Sequence, residues 1–380
     1  MLSAFPPKKI AVIIPKYGLA GGAERFAATL TELLAKNPAY EIHVIANRWS
    51  SSSTVISFHH VPIISFPRFL TTISFAWFAN RKAAQLGCDI IHTHDRILHA
   101  DIFTMHGVPH SFWIREIRKK KMSLFDRVTA WMEKRLLNAP RCQFLLPVST
   151  LSSNQYALEF PTIRQKLQIL HPGIDLERFH PRNKETYRGK IREEFDLADS
   201  DLVLLFVGMN FELKGLGALI AALAQIKNQR PDLPIRLLVV GKGNQACFQK
   251  LARELGIKDQ LRFAGICTSG MEKFYAAADL FALLSDFDTF GMTVLEAMAS
   301  GLPVIVSPTV GAKDLVINDQ QGYIVDKENI IAVAERIIAL HDDRKRLAMG
   351  QAARLMAKKH GWEKVAKKIS QTYDEILATL

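Results

Sequence analysis

The sequence predicts an α/β protein built from two doubly wound parallel sheets, one per domain, facing each other across a cleft. Three observations lead there. Apolar, β-rich runs alternate with stretches of helical periodicity almost from end to end. The alternation halts at a polar, proline-bearing stretch near the middle and then starts again. The chain has 380 residues, room for two domains of the usual roughly 100–200. Strand–helix alternation is the signature of parallel strands whose crossover helices cover both faces of the sheet.

Lys9–Pro15 (KIAVIIP) reads as a buried strand, followed over Gly21–Lys36 by a helix with Phe26, Ala27, Leu30, Leu33 and Leu34 on one face. Glu41–Ala46, Asp89–Thr93 and Gln143–Val148 are further strands. Helices are expected over Ala76–Leu86 and Ser123–Leu137. The segment His171–Arg182 (HPGIDLERFHPR) is the linker, so the first domain covers 1–170 and the second 171–360. The second half supplies strands at Leu202–Gly208, Ile235–Gly241, Leu261–Ala264, Leu280–Leu284 and Pro303–Ser307. Ligands of such domains gather at the carboxyl ends of the strands.

Apolar residues make up 48% and charged residues 23%, a soluble globular composition. The net charge of +12 invites an anionic partner: nucleic acid, a membrane surface or phosphorylated substrates. No nucleic-acid recognition motif accompanies it. Cys88, Cys142, Cys247 and Cys267 form no CxxC pair, so reduced thiols are expected rather than a zinc site or disulfide framework. The N-terminal residues lack a long apolar run with a cleavage site, and no window of about 18 residues is apolar and uncharged. The expected location is cytoplasmic, with any membrane contact peripheral.

The strongest chemical signal is Asp288–Val304 (DTFGMTVLEAMASGLPV). A glycine opens a helix there, and the free amides near Gly291, Met292 and Thr293 suit a phosphate. Glu296 lies about a turn further on, within reach of hydroxyls beside that phosphate, and Asp288 precedes it by eight residues. The same pattern is compatible with an ordinary amphipathic helix whose Glu296 is solvated. A second signal is the pair Gly21–Gly22 between the first strand and its helix, a common feature of doubly wound domains. A third is Lys214, in the loop after the Leu202–Gly208 strand and positioned to neutralise a departing diphosphate. His92 and His94 alternate like metal ligands, but no third ligand stands at a sensible spacing. His106 follows a strand that should end at the cleft. Gly241–Lys242–Gly243 is too short for a dinucleotide fingerprint.

Taken together these pieces resemble glycosyltransferase family 4, from about Lys9 to Tyr373. DTFGMTVLEAMASGLPVIVS is similar to the family's E-x7-E block and GGAER to its N-terminal glycine loop. LPVSTLSSN, ILHPGIDLERFHP, FVGMNFELKG, LLVVGKGN and FYAAADLFALLS fall in the family's order. KYGLAGGAER, QILHPGIDLERF and the F-x-x-KG loop look most like the lipopolysaccharide core glucosyltransferase I group. The resemblance implies the GT-B fold, two Rossmann-like domains, with the first binding acceptor and the second binding the nucleotide-sugar. It also implies that the C-terminal helix 361–380 packs back on the first domain. Transfer would be retaining and metal-independent, without a cofactor. The implied donor site is Gly21, Gly22, Lys214, Asp288, Phe290, Gly291, Met292, Thr293 and Glu296. Glu296 would hold the ribose, Asp288 the donor sugar, Lys214 the diphosphate and Gly22 a phosphate or sugar. His106, Lys214 and Asp288 would be the catalytic set. UDP and glucose are the favoured donor parts, and a lipopolysaccharide core or other envelope glycolipid the favoured acceptor.

Two departures stand out. The first acid of the block is Asp288, a methylene shorter than Glu. Met209 and Leu213 stand where relatives tend to carry basic residues, which leaves Lys214 alone in its loop. Rival readings are a nucleotide-sugar epimerase or hydrolase on the same fold, and a catalytically silent membrane scaffold. The excess charge is concentrated: Ser111–Arg141 carries nine basic and three acidic residues, +6, half of the total. Phe112, Trp113, Ile114, Phe125 and Trp131 are interleaved with them. Trp113, Arg118, Lys119, Lys120 and Lys121 are therefore expected to hold the protein against the anionic cytoplasmic face of the inner membrane. A solvated basic helix with its aromatics turned to the core is the alternative.

Overall fold

The computed structural model describes residues 6–19 and 21–378. The chain divides into two compact units. One is formed by residues up to Gly173 together with those from Trp362 onward, the other by Ile174–Gly361. The change of unit falls inside the proline-bearing stretch His171–Arg182.

The first unit is a six-stranded sheet of β1 (Lys8–Ile13), β2 (Tyr40–Ala46), β3 (Ser57–His60), β4 (Ile90–Thr93), β5 (Ile102–Met105) and β6 (Phe144–Pro147). All pairings are parallel, in the order β3-β2-β1-β4-β5-β6. Alternate side chains of β1 go to opposite faces. Ile10 and Val12 join one core with Phe26, Leu30 and Leu34 of the helix Gly22–Leu34. Ala11 and Ile13 join another with Phe75, Ala79, Met132 and Leu136, from the helices Leu70–Leu86 and Leu124–Leu137. Both faces are covered, so β1 reads as an unbroken apolar run. The helix Trp362–Leu377 adds Val365, Ile369, Tyr373 and Ile376 to the first core. Of the helix expected over 361–380, residues 379 and 380 lie outside the described residues, as does Ala20 of the glycine loop.

The second unit repeats the plan with β7 (Leu202–Met209), β8 (Ile235–Lys242), β9 (Leu261–Gly265), β10 (Leu280–Leu283), β11 (Val304–Val306) and β12 (Gly322–Ile324). The order is β9-β8-β7-β10-β11-β12, again all parallel. At its base the buried Arg192 guanidinium donates to Asp279 (2.7 Å) and to the carbonyl oxygens of Ala277 (3.1 Å) and Ala198 (2.7 Å). This buried charge is paired and hydrogen-bonded, as burial requires.

The strands lie within a residue or two of the sequence reading. Four short strands escaped it, β3, β12 and the paired two-residue strands Lys16–Tyr17 and Arg48–Trp49, and the helix expected from Ala76 begins at Leu70. Its first turns, LTTISF, are β-branched and score poorly as helix, but Ser74, Phe75 and Ala76 are buried there. Packing overrode local propensity.

Ile369 is fully buried between the C-terminal helix and the sheet. Ile369→Ala should destabilise the first unit by about 2–5 kcal/mol, the usual cost of such a cavity. Chemical denaturation would read this as an earlier transition of the first unit, with that of the second unmoved.

Candidate active site

In both sheets the strand order reverses beside the first strand: β1 is followed in space by β4, and β7 by β10. The loops leaving those neighbours diverge to opposite faces and open a crevice at the carboxyl edge. The candidate residues gather at these two edges.

In the second unit, Lys214 stands in the loop after β7 and Asp288 in the loop after β10. Their side chains form an ion pair across the reversal, each about four-fifths buried. Lys214 was expected at the diphosphate and Asp288 at the donor sugar. The fold brings the two side chains into direct contact. Asp288 is further held by its amide on Thr309 O (3.0 Å), and its carbonyl accepts from Gly311 N (2.9 Å).

Gly291 follows with φ +90°, a left-handed conformation, and an added Cβ would lie 3.0 Å from Val310 and 3.2 Å from Leu283. Both conformation and space call for glycine there. It caps the helix Met292–Ala299, in which Val294, Leu295, Ala297, Met298 and Ala299 are buried. Phe290 is buried as well, as an anchor beneath the turn. Met292, Thr293 and Glu296 are the partly exposed positions of this helix. Their i, i+3 and i+4 spacing puts them on one stripe. As the helix's first residues, Met292 and Thr293 have amides without an intrahelical acceptor. The Glu296 carboxylate accepts a hydrogen bond from Tyr275 Oη at 2.7 Å. Tyr275 is wholly buried, and burial pushes its hydroxyl well above the ordinary range, so it stays a donor. Sequence reading passed over Tyr275 because nothing in FYAAADLF distinguishes a tyrosine facing the core from one supporting a site.

Met209 is 55% exposed at the end of β7. Parallel register places Lys242, the last residue of β8, directly beside it. The GKG tripeptide set aside as a fingerprint thus supplies a cation next to the missing one.

In the first unit, Gly21 has φ +150°, and Glu24 folds back against it so that an added Cβ would meet Glu24 Oε2 at 1.9 Å. Gly22 differs: an added Cβ would meet nothing within 4 Å. Gly21 is required by the turn, whereas Gly22 leaves open surface.

Histidines line the carboxyl ends of β4 and β5. His92 is bonded at both nitrogens, to Tyr373 Oη and Thr104 Oγ1, each at 2.8 Å. His94 Nδ1 lies 3.0 Å from His106 Nε2. The His92 and His94 rings stack at 4.6 Å, and the His94 and His106 rings at 5.3 Å. Phe26 meets His106 edge-on at 4.9 Å. Burial lowers His92 to about 3 and His106 to about 4, and lowers His94 well below the usual value, so all three are uncharged near neutrality. The alternation of His92 and His94 is an internal stack.

The basic segment is less regular than one helix. His110–Phe112 continues into a π-turn over Trp113–Ile117, Lys119 adopts φ +49°, and the helix Leu124–Leu137 starts at the Ser123–Asp126 capping box. All nine basic residues, Arg118, Lys119, Lys120 and Lys121 among them, are exposed. Glu133 is fully buried, accepting from Arg96 (2.8 Å), Tyr156 (3.0 Å) and the His110 amide (2.8 Å). Trp131 is half exposed, while Phe112, Trp113, Ile114 and Phe125 are partly buried. Arg115, Lys119, Lys120, Lys121, Met122 and Arg127 line an open basin of about 590 Å³. The partly exposed Trp77, under Arg81 at 5.3 Å, lies on the adjoining helix Leu70–Leu86. No helix among the described residues is long and apolar enough to cross a membrane.

Each unit is a doubly wound parallel sheet with its candidate residues at the carboxyl edge, beside the reversal of strand order. Residues 20–178 match the model of Glycosyltransferase Family 4, and residues 188–356 that of Glycosyl transferases group 1. The chain belongs to the family 4 glycosyltransferases of GT-B fold. It is 32% identical over 218 residues to a D-inositol 3-phosphate glycosyltransferase of Corynebacterium urealyticum, covering 55% of this chain and 51% of that one. The match spans about half the length of that relative. A Methanocaldococcus jannaschii protein described as an uncharacterized glycosyltransferase is 25% identical over 96% of this chain and 97% of its own. Among solved structures, WaaG, a glycosyltransferase involved in lipopolysaccharide biosynthesis, superposes with TM-score 0.76 and 20% identity, over 96% of this chain and 99% of WaaG. The Anabaena protein HepE in complex with UDP-glucose gives TM-score 0.73 at 18% identity, over 97% and 99%. At these identities the structural likeness speaks for the fold.

Tyr275→Phe keeps the ring and removes the hydroxyl that holds Glu296. It should weaken binding of a nucleoside diphosphate by about 0.5–1.5 kcal/mol, the worth of one hydrogen bond. Titration calorimetry on the folded variant reads the difference.

Proposed function

We propose that this chain transfers a hexose, glucose favoured, from a UDP-sugar to a saccharide acceptor, with retention of anomeric configuration and without a metal or cofactor. The observation that carries the reading is the half-exposed stripe Met292, Thr293 and Glu296 on an otherwise buried helix, beside the Lys214–Asp288 pair. The helix amides and Lys214 receive the diphosphate, Glu296 the ribose hydroxyls and Asp288 the sugar. Lys242 adds the second positive charge that Met209 does not provide. Transition-state charge grows on the leaving diphosphate as the glycosidic bond breaks, so these fixed positive groups act mainly on kcat. The first unit binds acceptor and contributes His106 and the Gly21–Gly22 turn. HepE's complex with UDP-glucose supports this donor, and WaaG's part in lipopolysaccharide biosynthesis supports a core or envelope glycolipid as acceptor. The matches to D-inositol 3-phosphate glycosyltransferases favour a second reading, in which the acceptor is a small phosphorylated polyol.

A thermal-shift panel of nucleotides and nucleotide-sugars tests the donor, since a ligand at 100 times its Kd adds about 2.7 kcal/mol of apparent stability. Turnover assays with a truncated glycolipid core and with inositol phosphate then separate the two acceptors. Glu296→Gln should weaken UDP binding by about 1.5–3 kcal/mol, the range for a hydrogen bond to a charged group. Unchanged affinity in the folded variant would remove Glu296 from the site.

We also propose that the exposed basic segment holds the protein on the anionic cytoplasmic face of the inner membrane, where a lipid-linked acceptor resides. Each Lys or Arg near such a surface contributes about 1 kcal/mol. The wild type should sediment with anionic vesicles, and less so at high salt. A variant with Lys119, Lys120 and Lys121 changed to Gln should sediment weakly. Equal binding to anionic and neutral vesicles would remove the membrane reading and leave the transferase reading standing.

A further inference from the structure

We propose that His94 is a positioning residue that holds His106 in the Nδ1–H tautomer, so that His106 meets an oxygen of the donor sugar as an uncharged hydrogen-bond donor. The inference rests on the reading of His106 as part of the transferase site.

Two protein groups could compete for the ring nitrogens, and the structure resolves them. His92 is saturated by Tyr373 and Thr104 and serves as the floor on which His94 stacks. His94 is 6% exposed, and its Nε2 has no hydrogen-bond partner among the described residues. Its Nδ1 faces His106 Nε2 at 3.0 Å, and one of these two nitrogens must carry the hydrogen. If His106 donated, the neutral His94 would carry its own proton on Nε2, an N–H buried without an acceptor. Orphaned buried N–H groups are rare, and bare acceptors are better tolerated. The lower-energy arrangement has His94 Nδ1–H donating to His106 Nε2. A neutral His106 then carries its proton on Nδ1.

The surroundings hold this state. Burial keeps both imidazoles neutral near pH 7. Phe26 against His106 and His92 against His94 fix the two ring planes. His106 Nδ1 has no hydrogen-bond partner among the described residues, and His106 is partly exposed. It remains the ring's one available polar group. A fixed neutral donor bonds a sugar hydroxyl oxygen and orients the ring for transfer without a proton changing hands. His106 is therefore an orienting hydrogen-bond donor and not a base.

The test uses full-length protein labelled with nitrogen-15 at histidine. Long-range proton–nitrogen correlation spectra of the wild type at pH 7 should show a protonated Nδ1 and a bare Nε2 on His106. His94→Phe keeps an aromatic ring in the stack and removes the donor, so the His106 signal should shift toward a mixture of tautomers. Transfer should slow by about 10- to 100-fold in kcat, the scale seen when a hydrogen bond behind a metal-bound histidine is lost, with UDP affinity unchanged as a control for folding. His94→Asn restores an N–H near the Nδ1 position and should recover most of kcat. A protonated Nε2 on His106 in the wild type would overturn the proposal, as would full turnover by His94→Phe while His106→Ala is impaired. Full turnover by His106→Ala would overturn the catalytic reading of His106 and this proposal with it.

Discussion

The reversal of strand order beside the first strand of each sheet is the constraint on which the site depends. Parallel strands all end on the same edge, and right-handed crossovers send successive helices to one face until the order turns back. At the turn two neighbouring loops must part. In the second unit those loops carry Lys214 and Asp288, 74 positions apart in sequence, and the ion pair joins them. In the first unit the corresponding place brings Phe26, on the helix after the glycine turn, against His94 and His106 after β4 and β5. His94 N donates to Ile13 O at 2.9 Å, so the end of β4 is bonded directly to the end of β1.

The Lys214–Asp288 pair changes how the site is understood. A lysine and a carboxylate, each about four-fifths buried, attract more strongly than a surface pair, and each shields the other until a ligand arrives. Under the proposed function, a diphosphate reaching Lys214 would compete with Asp288 for it.

Support behind the candidate groups is built from residues without a motif. Tyr275 sits under Glu296, and His94 sits behind His106. Glu133, an acid in the most basic stretch of the chain, is turned inward to Arg96 and Tyr156. The outer side of that stretch is left to its cations. Burial makes such partners effective, since a hydrogen bond shielded from water holds its geometry more firmly than one at the surface.

The sequence by itself determined the parallel α/β character, the position of most strands and the Asp288–Glu296 block. Buried strands such as KIAVII and LVLLFV announce themselves by unbroken apolarity, and a helix opened by glycine is a local event. It also marked out His106 and the basic segment. Tertiary structure alone decided that Lys214 and Asp288 touch, that Lys242 stands beside Met209, and that Tyr275, His94 and Glu133 face inward. The reason is range. Periodicity and capping act over a few residues, while each of these relations is created where strands from distant parts of the chain are brought into register.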